Sequence, residues 1–210
     1  MNVIKKKFES LIYLMREKYK SKKRKRLKNT TFSLIASNCN GGVILHDLGL
    51  RFNTPFINLS IPPKDFIKLV GDFRFYMALE LVEQKDDSVN YPVGNLGGLR
   101  IDFMHYATFA DAKSKWDERK QRINYDDLYY MLTEREGCSL DDLKQFDALP
   151  LKHKVVFTHR KYPTIQSSFY LPGFKKQGEV RLSMHYPKPY SIKRYVDKFD
   201  FVNWVNGESI

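Results

Sequence analysis

Apolar positions along the chain fall in short bursts separated by polar turns, and the spacing inside each burst predicts its element. Phe32 to Ala36 is a continuous apolar run suited to a buried strand, and Ser37-Asn38-Cys39-Asn40-Gly41-Gly42 follows it as a turn. A helix from Val43 to Leu48 is expected next, stopping at Gly49. Pro62 and Pro63 open a second helix, whose inner stripe is Phe66, Leu69, Val70, Phe73 and Met77. The polar stretch 84–90 reads as an exposed linker. Strands are then expected at Tyr91 to Gly94 and Leu99 to Tyr106, around a turn at Asn95 to Gly98.

Phe109 to Arg122 is helical in composition, and Leu128 to Thr133 reads as a strand. Ser139 caps a helix that runs to Ala148, with Asp142 in its first turn and Pro150 just past its end. Lys154 to Thr158 is another buried strand. From Ser191 to Val205, a second capping serine and recurring apolar residues predict one or two terminal helices. Strands and helices alternate over 31–160. That order predicts an α/β protein, a three-layer α/β/α arrangement around a mixed, partly parallel sheet.

The charge is unevenly placed. Of the formal net charge of +12, residues 1–28 contribute +10, from twelve Lys or Arg against Glu9 and Glu17, so the remainder is close to neutral. The expected organisation is therefore a basic arm, 1–28, and a single α/β domain, 29–210. In the arm, Ile4, Phe8, Leu11, Ile12, Met15 and Tyr19 recur at helical spacing, followed by a cluster of cations from Lys22 to Lys28. Three partners fit such an arm: the domain itself, through the apolar stripe; an anionic membrane surface; and nucleic acid. The near-neutral body argues against a specific nucleic-acid binder, which spreads phosphate contacts over its folded face.

Cys39 and Cys138 are too few for a disulfide framework or a cysteine-built zinc site, so free thiols in a reducing cytosol are expected. No apolar run is long enough to span a bilayer, and the first residues lack the pattern of a signal peptide. The expected location is cytoplasmic, with the arm able to hold the protein to the inner face of the cell membrane.

Candidate chemistry gathers first at the turn after the first strand, because open α/β sheets bind ligands at the carboxyl ends of their strands. There Gly41 and Gly42 allow close backbone approach, and Ser37 and Asn38 can donate hydrogen bonds to a phosphate or oxyanion. Cys39, at a helix N-terminus, is expected to have a depressed pKa and to act as a nucleophile. His105 is the candidate general base, with Asp102 or Asp65 to orient it. Arg119 and Arg122, one helical turn apart, can grip an anionic group together, or can pair with Asp117, Glu118 or Asp126. His46, His153, His159 and His185 are scattered without metal-ligand spacing, so no metal is proposed, and the residues name no cofactor. Tyr162, Phe169, Tyr170, Phe174, Tyr186 and Tyr190 form an aromatic stretch that stacks on sugar rings or covers a core.

The ordered set Phe32 to Gly42, Leu48-Gly49-Leu50, Asn53 to Phe56, Ile61-Pro62-Pro63 and Asp65 to Leu69 resembles a bacterial family of unknown function (domain-of-unknown-function family 1919). The resemblance continues through Tyr91 to Gly94, His105-Tyr106, Lys115-Trp116, Arg119, Arg122 to Asn124, Gly137-Cys138, Phe146 to Pro150 and Val155 to Thr158, covering about 31–170. Members of that family are often labelled exopolysaccharide biosynthesis proteins. The resemblance implies a three-layer α/β fold and a place in capsule or exopolysaccharide assembly, but no reaction. The Ser-Asn-Cys turn is also similar to the Asn-Cys-Gln turn of a capsule-biosynthesis family that binds coenzyme A, with Asn40 in place of the Gln.

These features lead to one expected function, a transferase that moves a group from an activated donor to a glycan or lipid-linked glycan precursor. The alternative is a non-catalytic glycan-binding or scaffold module, with a glycosyltransferase as possible partner. Nucleic-acid binding through the arm is third.

Overall fold

A computed structural model describes residues 3–208. The chain opens with α1 (Val3–Arg26), followed by β1 (Ser33–Ala36) and α2 (Asn40–Asp47). Next come α3 (Pro63–Gly71), α4 (Phe73–Ala78), β2 (Val82–Gln84), β3 (Val93–Leu96) and β4 (Leu99–Asp102). The second half holds α5 (Phe109–Lys120), β5 (Leu128–Thr133), α6 (Leu140–Ala148), β6 (His153–Thr158), β7 (Ser168–Tyr170) and α7 (Phe201–Val205).

The fold is α/β, but the parallel and antiparallel pairings expected in one mixed sheet are sorted into two. The larger sheet has the order β1-β5-β6-β7 and every neighbouring pair is parallel. The smaller, β2-β3-β4, is antiparallel. Its separation follows from the turn between β3 and β4. Leu96 pairs with Leu99, and the two residues between them, Gly97 and Gly98, have φ of 60° and 89°. Two consecutive positive φ values make the hairpin turn that folds a strand straight back on itself. A bridge between Ser60 and Asp102 extends this sheet toward the end of β1, where the Ile61 N–H donates to the Ser37 carbonyl at 2.9 Å.

Strand alternation in the parallel sheet divides its side chains between two cores. Ile35, Tyr130, Leu132 and Val156 face one side, under α3, α4, α5, α6 and the small sheet. Leu34, Ala36, Tyr129, Met131, Val155 and Phe157 face the other, under α2, α7 and the segment around Leu171, Phe174 and Val180. The result is the expected three layers.

Several boundaries differ from expectation for local reasons. The helix expected from Pro62 to Met77 is broken at Asp72 (φ −136°, ψ 60°) into α3 and α4, although its inner stripe is buried as predicted. The strand expected to reach Tyr106 ends at Asp102, and Met104 and His105 are exposed on the turn beyond it. The helix after β1 starts at Asn40 rather than Val43, which places both glycines in its first turn. A Cβ on Gly41 would lie 2.6 Å from the Ala36 Cβ and 3.3 Å from a Leu34 methyl, so this glycine permits α2 to lie directly on β1. At the chain end, the N-cap of α7 is Asp200 rather than Ser191, accepting from the Asn203 N–H.

The arm is one continuous helix held along the body. Arg16 donates to the carbonyls of Ser191 and Pro189 and stacks 3.5 Å from the Tyr186 ring centre. Lys23 pairs with Asp197 at 2.9 Å and Arg26 with Asp200 at 2.6 Å. Asp47 receives Lys20 at 3.1 Å and Arg194 at 2.6 Å, and all three side chains are mostly buried. Asp47 ends α2, where the helix dipole disfavours a negative charge, so these two cations offset that cost as well. No helix among the described residues is long and apolar enough to cross a membrane.

Two stability predictions follow the packing. Gly41→Ala gains helix propensity but forces α2 off β1; the net cost is about 2 kcal/mol, or roughly 4–8 °C in thermal midpoint. Asp47→Asn leaves Arg194 without its carboxylate and Lys20 with Glu17 alone, and costs about 1–2 kcal/mol, with faster limited proteolysis inside α1 as its local signature.

Candidate functional site

Parallel pairing brings the ends of β1, β5, β6 and β7 to one edge of the sheet, and the buried polar side chains collect there. Ser37 Oγ accepts from the Thr133 N–H at 3.2 Å, tying the end of β1 to the end of β5. Asn38 Oδ1 accepts from the Asn40 N–H at 3.0 Å, and Asn40 Nδ2 donates to Ser183 Oγ at 2.9 Å. Asn38 and Thr133 are only 2% and 1% exposed, yet Asn38 Nδ2 and Thr133 Oγ1 have no hydrogen-bond partner among the described residues. Two orphaned polar atoms on adjacent strand ends are costly to leave dry, at about 1–3 kcal/mol each, and mark a place where a polar ligand or water fits.

One strand further along, Glu134 follows directly on β5 and His159 directly on β6. Glu134 is 3% exposed, and its Oε2 accepts from the His159 backbone N–H at 2.8 Å and meets His159 Nδ1 at 2.7 Å. Its other oxygen accepts from the Tyr162 hydroxyl. A carboxylate can only accept, so the proton of a neutral His159 ring lies on Nδ1, and Nε2 keeps its lone pair. The chemical capacity of this pair is general-base catalysis by an oriented imidazole.

Cations rim the same edge. Arg160, Lys161 and Lys175, all exposed, line a cleft of ≈ 420 Å³ together with Tyr170. A neighbouring cleft of ≈ 250 Å³ lies between Arg135 to Cys138 and Gln177 to Arg181. There the arginines are already engaged, Arg135 with Glu136 and Arg181 with Glu179. The segment between these clefts crosses the edge, where the Val180 N–H donates to the Glu134 carbonyl at 2.7 Å.

Of the residues expected to act, Ser37, Asn38 and Cys39 are at this edge. Cys39 precedes α2 as its N-cap, but its side chain makes no cap hydrogen bond, and its pKa is raised where a depressed one was expected. Burial of the thiol is the main cause, and the nearby Arg135 offsets it only in part. Gly41 and Gly42 are helical and pack on β1 and Ile57, so the structure supplies a packing reason for both.

His105 stands apart on the exposed turn after β4, and its side chain has no hydrogen-bond or ion-pair partner among the described residues. The carboxylates expected to orient it serve Arg100 instead. Asp102 pairs with the Arg100 guanidinium at 2.8 Å, and Asp65 accepts from the Arg100 N–H at 2.9 Å. Arg119 donates to the Tyr106 hydroxyl at 2.8 Å and lies over the Phe52 ring. Arg122 donates to the Phe52 carbonyl at 3.1 Å and pairs with Glu118. The next carbonyl, that of Asn53, accepts from Ser33 Oγ at the opposite end of β1. The arginine pair and the Ser37 turn therefore belong to different regions.

Of the aromatic stretch only Phe174 is buried; Tyr162, Phe169, Tyr170 and Tyr186 are half-buried and Tyr190 is exposed. Tyr162 is tied to Glu134 and Tyr186 stacks against Arg16. Among the described residues no three His, Cys, Asp or Glu side chains are grouped so as to hold a metal ion.

The Glu134–His159 pair escaped the sequence reading, although a signal was present: His159 stands immediately after the apolar run Val155 to Phe157 and Thr158, the position that singled out Ser37 after β1.

The architecture defines the class: a parallel α/β protein with a polar cluster at the carboxyl edge of its sheet. The chain belongs to the family described as Domain of unknown function (DUF1919), which matches residues 11–206. The match begins inside α1 and ends beyond α7, so the helix and the tail that clamp together both fall within it. An uncharacterized protein of Haemophilus influenzae is 40% identical over 182 residues, covering 87% of each chain.

The raised pKa of Cys39 sets a reactivity. A smaller thiolate fraction at neutral pH makes its alkylation slower than that of free cysteine at pH 7.5, with the rate climbing at higher pH than for the free amino acid. Mass-spectrometric timing of iodoacetamide labelling, site by site, checks this.

Proposed function

We propose that the protein is a group transferase of capsular or exopolysaccharide assembly that works at the carboxyl edge of the parallel sheet. In this reading it moves a group from an anionic activated donor to the hydroxyl of a glycan or lipid-linked glycan precursor. The observation that carries it is the His159 imidazole, held by a buried carboxylate, beside a cleft lined by three exposed cations. The polysaccharide setting is supported by the resemblance of the ordered motifs to proteins with that label.

His159 Nε2 takes the proton of the acceptor hydroxyl as the new bond forms, and Glu134 stabilises the imidazolium that results. Arg160, Lys161 and Lys175 offset the charge that gathers on a phosphate leaving group. Asn38 Nδ2 supplies a hydrogen bond to the bound donor and so gains the partner it lacks. Cys39, its thiol protonated, lines the edge as a neutral group in this reading, and the base role passes from the exposed His105 to His159. A non-catalytic glycan-binding module draws less support, because Phe174 is buried, Tyr162 is held by Glu134 and Tyr186 is covered by Arg16.

The test is a thermal-shift screen of the full chain against nucleotide sugars, nucleoside diphosphates, coenzyme A thioesters and short glycans. A donor at about 100 times its dissociation constant adds about 2.7 kcal/mol, a rise of several degrees. Arg160→Glu with Lys175→Glu removes that rise. With the donor so identified, His159→Asn lowers kcat by about 10²–10⁴-fold and leaves the donor shift in place. Silence from every donor with a shift from a glycan alone transfers the assignment to the binding module.

A further inference from the structure

Eight of the eleven cations of α1 fall into two sets on different faces. Arg16, Lys20, Lys23 and Arg26 turn toward the body and are engaged by its carbonyls and carboxylates. Lys7, Lys18, Lys22 and Lys25 are exposed and have no ion-pair partner among the described residues. At about 100° per residue, these four fall within an arc of roughly 60° on the side away from Ile12, the residue α1 buries against the body.

The same arc, widened by about 20° on each side, holds apolar side chains left in water. Leu11 is 54% exposed and Leu14 60%, with Phe8 and Met15 half-exposed at its margin. Exposed leucines next to unpaired lysines on one helix face are the composition of an interfacial helix, whose apolar side chains enter the acyl boundary while its lysines reach lipid phosphates. We propose that this outward face of α1, and not the basic cluster as a whole, docks the protein on an anionic bilayer surface.

Charge decides among the possible occupants. A second copy of the helix would bring lysines against lysines. A nucleic-acid backbone would satisfy the lysines but leave Leu11, Leu14 and Met15 in water. An anionic bilayer satisfies both sets at once. The inference is independent of the group-transfer reading, since none of these side chains lies at the sheet edge.

The experiment is co-sedimentation of the full chain with vesicles of phosphatidylcholine alone or containing about a third phosphatidylglycerol. The expected result is binding to the anionic vesicles only. Combined Lys18→Gln, Lys22→Gln and Lys25→Gln weakens it on the order of 100-fold, near fivefold per lysine. Leu11→Ser with Leu14→Ser weakens it by about tenfold or more. Lys28→Gln, which removes a cation paired with Glu208 outside the arc, leaves binding unchanged, as does His159→Asn. All these positions are exposed or remote from α1, and unchanged thermal midpoints confirm the fold. Equal binding to both vesicle types, absence of binding, or indifference to the lysine and leucine substitutions overturns the proposal. So does a dimer dissolved by Leu11→Ser, or tighter binding to duplex DNA than to anionic vesicles.

Discussion

Four parallel strands packed on both faces impose one constraint from which the rest of the molecule follows. Each strand must bury alternate residues in opposite directions, so Leu34 and Ala36 serve one core while Ile35 between them serves the other. Because every pair is parallel, all four strands deliver their carboxyl ends to a single edge. The chain must leave the sheet there, and the backbone and side-chain polar groups that appear at those exits have to find partners in a small volume. The ties from Ser37 to Thr133 and from Glu134 to His159 are two solutions to that crowding, made between neighbouring strands.

A second dependency runs from α2 to the arm. The close seat of α2 on β1, allowed by Gly41, sets where its last residue, Asp47, emerges. Asp47 then fixes Lys20 of α1 and Arg194 of the tail, so that two segments far apart in sequence meet on one carboxylate. The clamp also explains why a helix with so many cations can lie along the body: Lys20, Lys23 and Arg26 have acidic partners, Arg16 has carbonyls and a ring, and Lys7, Lys18, Lys22 and Lys25 are turned outward. Net charge alone does not distinguish these two sets.

Much of the fold was legible because local signals agreed with the tertiary outcome. Leu128–Thr133 forms β5 as expected of its apolar run, and Ser139 with Asp142 makes a full capping box at the start of α6. The inner stripe from Phe66 to Met77 is buried even though the helix breaks, since α3 and α4 keep the same face toward the core. What was not legible depended on distance. Nothing local says that β7, three residues in an aromatic stretch, pairs with β6, or that the hairpin at Gly97 and Gly98 leaves the main sheet. At the site, the rule that ligands gather at strand ends led correctly to Ser37 to Cys39 as edge residues. It passed over His159 because the significance of that histidine lies in Glu134, 25 positions away.

Stability by itself does not call for a carboxylate at position 134. A buried charged pair is often matched or exceeded in stability by apolar residues of similar volume, because desolvation cancels much of the attraction. What Glu134 does uniquely is geometric: it accepts from the His159 backbone, the His159 ring and the Tyr162 hydroxyl at once, and so fixes the ring in one orientation and one tautomer. The ring so fixed has its Nε2 without a hydrogen-bond partner among the described residues. Beside it are three exposed cations, which a stable fold would more cheaply disperse than gather around one cleft. The proposed transfer reaction would use both features, an anion held at the cleft and a proton taken up at His159.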